Sequence, residues 1–140
     1  MASVFTQIIA GSLPGRFVWK DERCVAFLTI HPLRPGHTLV VPRDEIDHWL
    51  DLPGDLAGHL TQVSQSIGKA LQRAFQPIKV GLMIAGLEVP HTHLHLIPIY
   101  ELSDLNPANQ DMRAKAADLD VAAAKVRAAL RELGFHQVAD

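Results

Sequence analysis

With 140 residues, 48% of them apolar, and a formal net charge of −2, the chain has the size and balance of one globular domain. Its 13 Lys and Arg are scattered rather than clustered, which argues against a nucleic-acid partner, and no run of ~18 apolar residues offers a membrane span. Cys24 is the only cysteine, so an internal disulfide is excluded. The first residues lack a charged segment followed by a long apolar one, so the expectation is a cytoplasmic protein with neither nucleic-acid nor membrane partners.

Residues 3–11 group Val4, Phe5, Ile8 and Ile9 at helical spacing, with Gly11 and Pro14 as stops, and predict a short N-terminal helix. Residues 16–20 and 23–30 are β-rich runs parted by Asp21 and Glu22, a hairpin pattern. Cys24 lies in an apolar run and reads as packing. Two prolines and a glycine make residues 30–36 a rigid connector. Residues 37–41 predict a third strand with His37, Leu39 and Val41 on one side. Residues 44–51 suggest one helical turn, with His48 and later His59 facing solvent. Leu56, Leu60, Val63, Ile67, Leu71 and Phe75 keep a 3.6-residue period and predict a long helix, capped near Asp51 and stopped by Pro77. Residues 79–85 read as a buried strand. Residues 103–110 read as a linker, and 116–133 as an alanine-rich helix ended by Gly134.

The densest chemistry lies in residues 89–98. His91, His93 and His95 alternate with Thr92, Leu94 and Leu96, the period of a half-buried strand, which places three imidazoles on one face and an apolar row on the other. At ~3.3 Å per residue, His91 and His95 stand ~13 Å apart along such a strand, so a single zinc could hold two neighbours but hardly all three. The alternatives are acid–base and nucleophilic work on an oxyanion, a two-histidine metal site, or a surface strand with incidental histidines. Gly86 permits a close backbone approach to a ligand, or merely a turn.

His-Thr-His-Leu-His-Leu-Ile resembles the histidine triad motif, in which three histidines alternate with apolar residues. The preceding Ala85-Gly86-Leu87-Glu88-Val89-Pro90 is similar to the lead-in of the Hint branch of that superfamily, and residues 26–42 resemble its other block. The resemblance implies an α+β fold with a five-stranded antiparallel sheet continued across a homodimer. It implies a domain over residues 3–103, leaving 104–140 as a linker and C-terminal helical extension. It also implies a nucleotide hydrolase or transferase that cleaves the α-phosphate linkage of a nucleoside 5′-phosphate derivative, such as a purine nucleoside phosphoramidate, without a cofactor. His93 would form a nucleotidyl-histidine intermediate, His95 would bind phosphate and protonate the leaving group, and His91 and His37 would orient the row. Val4, Phe5, Ile8, Phe27, Ile30 and Leu39 would enclose the base, with Thr29, Gly86, Glu88 and Val89 also at the nucleotide.

Several positions depart from the family pattern. Thr29 replaces an acidic residue that meets the ribose hydroxyls, Leu87 a glutamine, and Glu88 a serine or threonine. Many family members bind zinc through Cys-x-x-Cys and a later histidine, where this chain has Ser3, Thr6 and, nearby, Glu45, so the expectation is no structural metal. The competing readings are a nucleotide-binding scaffold with little activity and a metal-dependent hydrolase using His91 and His93.

Overall fold

The computed structural model describes residues 2–140. Strands β1 (Phe17–Lys20), β2 (Cys24–Leu28), β3 (Thr38–Pro42), β4 (Lys79–Met83) and β5 (Leu94–Ile99) form one antiparallel sheet in the order β1-β2-β3-β5-β4. Helices α1 (Val4–Ala10), α2 (Gly54–Phe75) and α3 (Ala116–Glu132) complete the α+β architecture expected from the sequence.

Strand alternation sorts the side chains onto two faces. Cys24, Ala26, Leu28, Val40, Leu94 and Leu96 join the apolar stripe of α2 and the alanine-rich face of α3 in the larger core. Val25, Phe27, Leu39 and Val41 occupy the opposite face, where α1 supplies Phe5 and Ile8. The two outer strands end differently. Residues 137–139 run along β1, with Lys20 N–H donating to Gln137 O at 3.0 Å and Ala139 N–H to Val18 O at 3.1 Å. β4 is the other edge, with Leu82 half exposed and Ile78 beside it largely exposed.

The hairpin turn is held by Asp21, whose carboxylate accepts Trp19 Nε1–H, the Arg23 and Cys24 amides and His59 Nε2, each at 2.8–2.9 Å. These hydrogen bonds outweigh partial burial and hold Asp21 far below the usual carboxylate range. Cys24 is fully buried, and desolvation pushes its thiol upward, in keeping with a packing role. His59 is therefore a partner of Asp21, not the solvent-facing residue expected, whereas His48 is exposed.

Three other expectations change. The triad strand starts only at Leu94, because β3 ends in Pro42, which has no N–H to extend the ladder, and Thr92 N–H turns to Ile46 O at 2.7 Å. Among the described residues no side chain caps α2: Pro53 stands at its N-cap, and Asp51 lies in a 3₁₀ turn. Residues 103–110 are mostly wound into two further 3₁₀ turns, the first pinned by Asp104, which accepts Arg34 Nε–H at 2.7 Å and the Tyr100 amide at 2.8 Å.

The connector into β3 depends on Gly36, whose φ is +94° and whose added Cβ would lie 2.5 Å from the Phe75 ring. Gly36→Ala is expected to cost about 1–3 kcal/mol in backbone strain alone, and more through the Phe75 clash. Denaturant midpoints of the two proteins check this.

Candidate active site

Four imidazoles meet where β3 and β5 pair. Antiparallel register sets His95 opposite Leu39, and His37 stands one residue before β3. The His37 and His95 rings are 5.2 Å apart between centroids, and those of His93 and His95 4.8 Å. His91 and His93 lie on the extended lead-in to β5. Phe5 packs edge-on against both, at 5.9 and 4.8 Å. The row is more deeply set than a surface strand would make it: His91 is 0% exposed, His37 2% and His93 6%, with His95 half-buried.

Hydrogen bonding assigns the ring protons, since a carbonyl can only accept and an amide can only donate. His37 Nδ1 accepts the Leu33 amide at 3.0 Å, so the proton of a neutral His37 sits on Nε2. That Nε2–H donates to His95 Nδ1 at 2.9 Å, which places the His95 proton on its own Nε2. His93 is set the other way: Nδ1–H donates to His91 O at 2.8 Å, leaving a lone pair on Nε2. Among the described residues, the buried side-chain N and O atoms without partners are His31 Nδ1, Ser64 Oγ and Gln137 Oε1. The Nε2 atoms of His93 and His95 also lack protein partners but are not in that buried set, so they open to solvent. Two neighbouring rings thus present an open lone pair and an open N–H donor side by side.

Burial disfavours the charged form of each ring. Desolvation first, then repulsion from His95 and His93, lowers His37 from 6.5 to about 3. Desolvation and His93 lower His95 to about 4. Desolvation also lowers His93, opposed by its bond to the His91 carbonyl and by the charge of Glu88. His91 is held on both sides, with Nε2–H on Pro42 O at 2.8 Å and Nδ1 against Ser3 Oγ at 2.7 Å.

The other residues expected at the nucleotide divide. Phe5, Phe27 and Leu39 are buried together, with Ile8 and Val89 packed on them, while Val4 and Ile30 are exposed. Glu88 is exposed and near enough to His93 to act on its titration. Thr29 lines, together with His37, a cavity of about 830 Å³ between the connector and α3, and its Oγ1 accepts the His31 amide at 3.2 Å. Gly86, with φ +75°, lines a small cleft with His48, Trp49 and Thr92, which holds none of the four site histidines. Sequence reasoning missed the ring-orienting groups. Leu33 and Pro42 act through their backbones and leave no side-chain signal, and in the sequence Ser3 stands out only as the replacement of a cysteine.

A five-stranded antiparallel sheet with alternating histidines on an inner strand and its lead-in is the arrangement of a histidine triad domain. The chain belongs to the HIT domain family, whose pattern matches residues 10–102. It is similar to protein hit of Bacillus subtilis (strain 168), 35% identical over 106 residues, covering 72% of this chain and 73% of that protein. Adenylylsulfatase HINT3 of Arabidopsis thaliana is 27% identical over 133 residues, 91% of this chain and 67% of that one. In structure, the chain matches a zinc-bound histidine triad family protein from Mycobacterium smegmatis with a TM-score of 0.80 at 27% identity, covering 95% and 96% of the two chains.

The lowered histidines fix the sign of the pH response. Below 6.5 the unfolded chain takes up protons that His95 and His37 refuse until about pH 4 and 3. Their contribution to stability is therefore complete above pH 6.5 and is lost as pH falls toward 4, by up to about 1.4 kcal/mol per pH unit for each proton. Urea unfolding from pH 7 to 4.5 should show this slope, and His95→Asn should flatten it.

Proposed function

We propose that the protein is a nucleotide hydrolase or nucleotidyl transferase acting on the α-phosphate of a nucleoside 5′-phosphate derivative. The observation that carries this reading is the opposed state of two adjacent Nε2 atoms, a lone pair on His93 and a proton on His95. His93 Nε2 attacks the α-phosphorus and forms an N–P bond as the bond to the leaving group breaks. The bound phosphate anion charges the His95 ring, its Nδ1 giving up the bond from His37 Nε2–H, and the leaving group takes the Nε2 proton of that imidazolium. Water, giving a proton back to His95, then cleaves the N–P bond and releases the nucleoside monophosphate. One difficult displacement becomes two easier ones.

The low His95 pKa suits the empty site, and an anionic phosphate against Nε2–H favours the charged ring again. His37 supports His95, and His91 supports His93 through its carbonyl. Phe5, Phe27 and Leu39 form the floor beneath the base, with Ile8 and Val89 around it and Ile30 as an exposed contact. Thr29 offers a neutral hydroxyl where a carboxylate would bind ribose more strongly, so affinity for the sugar is reduced. Adenylylsulfatase HINT3 supports an adenylyl compound as substrate. The reaction draws on no cofactor. Residues 3–103 carry it, residues 104–140 brace the sheet from its other face, and the open β4 edge suits pairing with a second copy.

Glu88 favours one competing reading, a nucleotide-binding protein with little turnover, because its charge near His93 repels phosphate. Adenosine 5′-phosphoramidate separates the two. The parent protein should release adenosine monophosphate and show a transient adenylyl adduct by intact mass. His93→Ala should abolish both while the circular dichroism spectrum is retained. His95→Gln should slow turnover by about 10²–10⁴-fold. A His93→Ala protein that keeps the parental rate would sink the assignment.

A further inference from the structure

The family resemblance puts a zinc corner at Ser3, Thr6 and Glu45, and the side chains there build something else. Glu45 Oε1 accepts Ser3 N–H at 2.6 Å and Thr6 Oγ1–H at 2.7 Å. Ser3 Oγ accepts the Thr6 amide at 3.0 Å, as the N-cap of α1. The single Ser3 hydroxyl proton has two acceptors in reach, His91 Nδ1 at 2.7 Å and Thr6 Oγ1 at 3.3 Å. It goes to His91, which is nearer and whose Nδ1 must accept because its Nε2–H is committed to Pro42 O. Structural zinc sites use four thiolate, imidazole or carboxylate ligands, deprotonated to bind. This corner offers one imidazole, one carboxylate and two neutral hydroxyls. His91 Nδ1 and Glu45 Oε1 already accept hydrogen bonds from this corner, which leaves Glu45 Oε2 as the one anionic donor atom. The donor set does not fit zinc.

We propose that this corner is a metal-free clasp, in which Glu45, Ser3 and Thr6 hydrogen-bond α1 to the first triad histidine and fix the His91 ring between Ser3 and Pro42. The clasp has a direct path to the reacting ring. The His91 carbonyl accepts His93 Nδ1–H, and Phe5, between the two clasp hydroxyls in sequence, lies against His93. Glu45 is then a positioning residue, acting through Ser3 and His91 without touching substrate. That bearing on turnover rests on His93 as nucleophile; the clasp itself does not.

The test uses the full chain with ¹⁵N-labelled histidine. The purified protein should carry far less than one zinc per chain. Stoichiometric zinc, or a strong chelator, should leave its melting temperature and the His91 ring resonances unmoved. Ser3→Ala should shift the His91 Nδ1 resonance toward that of a nitrogen with no hydrogen-bond donor. Glu45→Ala should do the same and lower the melting temperature. Glu45→Gln, whose amide oxygen still accepts both bonds, should restore most of both. With adenosine 5′-phosphoramidate, Glu45→Ala should lower kcat several-fold with KM little changed, and Glu45→Gln should recover it.

One tightly held zinc that moves the His91 Nδ1 resonance would overturn the clasp, as would a Ser3→Ala spectrum identical to the parent's. An unchanged kcat in Glu45→Ala, in a protein that turns over, would overturn the positioning role. Failure of the parent to turn over would count against the nucleotidyl reading and leave the spectroscopic result intact.

Discussion

A single backbone amide, that of Leu33, decides which nitrogen of His95 carries a proton. By donating to His37 Nδ1 it forces the His37 proton onto Nε2, and that proton forces the next one onto His95 Nε2. The chain of cause runs through one buried and one half-buried ring and ends at an atom that faces solvent. It works because burial leaves no water to supply a competing partner, and because each polar atom of a buried ring must find one in the protein. His37 is the link that makes this possible. It is 2% exposed, both its nitrogens are satisfied, and desolvation keeps it neutral.

A second string of hydrogen bonds reaches the site from the other end of β3. Pro42 closes that strand and has no amide for the ladder, so the pairing of β3 with β5 stops at Val40 and Leu94. The Pro42 carbonyl takes the His91 ring instead, and the His91 carbonyl takes the His93 ring. β3 therefore orients both rings with open Nε2 atoms, His95 through the loop that enters it and His93 through the residue that ends it. The opposite proton placements follow from having an amide donor on one side and carbonyl acceptors on the other.

The two faces of the sheet divide the labour. α2 and α3 bury Leu94 and Leu96 in the larger core, which holds β5 rigidly from behind. α1 is a short helix of seven residues and covers only part of the other face, so the rings beneath it keep two open nitrogens. A helix this short is marginal by itself, and its place depends on tertiary contacts: Phe5 in the second core, and Ser3 and Thr6 at the loop that bears Glu45.

Sequence alone determined what periodicity can carry. The 3.6-residue stripe of α2, the hairpin punctuation at Asp21, and the alternation that puts Leu94 and Leu96 behind His95 are local patterns, and each appears in the fold. The histidine spacing with the block around residues 26–42 was enough for the family. What only the tertiary structure decided are relations between residues far apart in the chain. These are the proton placement set by Leu33 and Pro42, the 42-residue separation bridged between Ser3 and Glu45, the cavity that Thr29 shares with His37, and the seating of His59 on Asp21. A backbone amide or carbonyl is the same in every residue but proline's missing N–H, so its choice of partner leaves no mark in the sequence until the chain has folded.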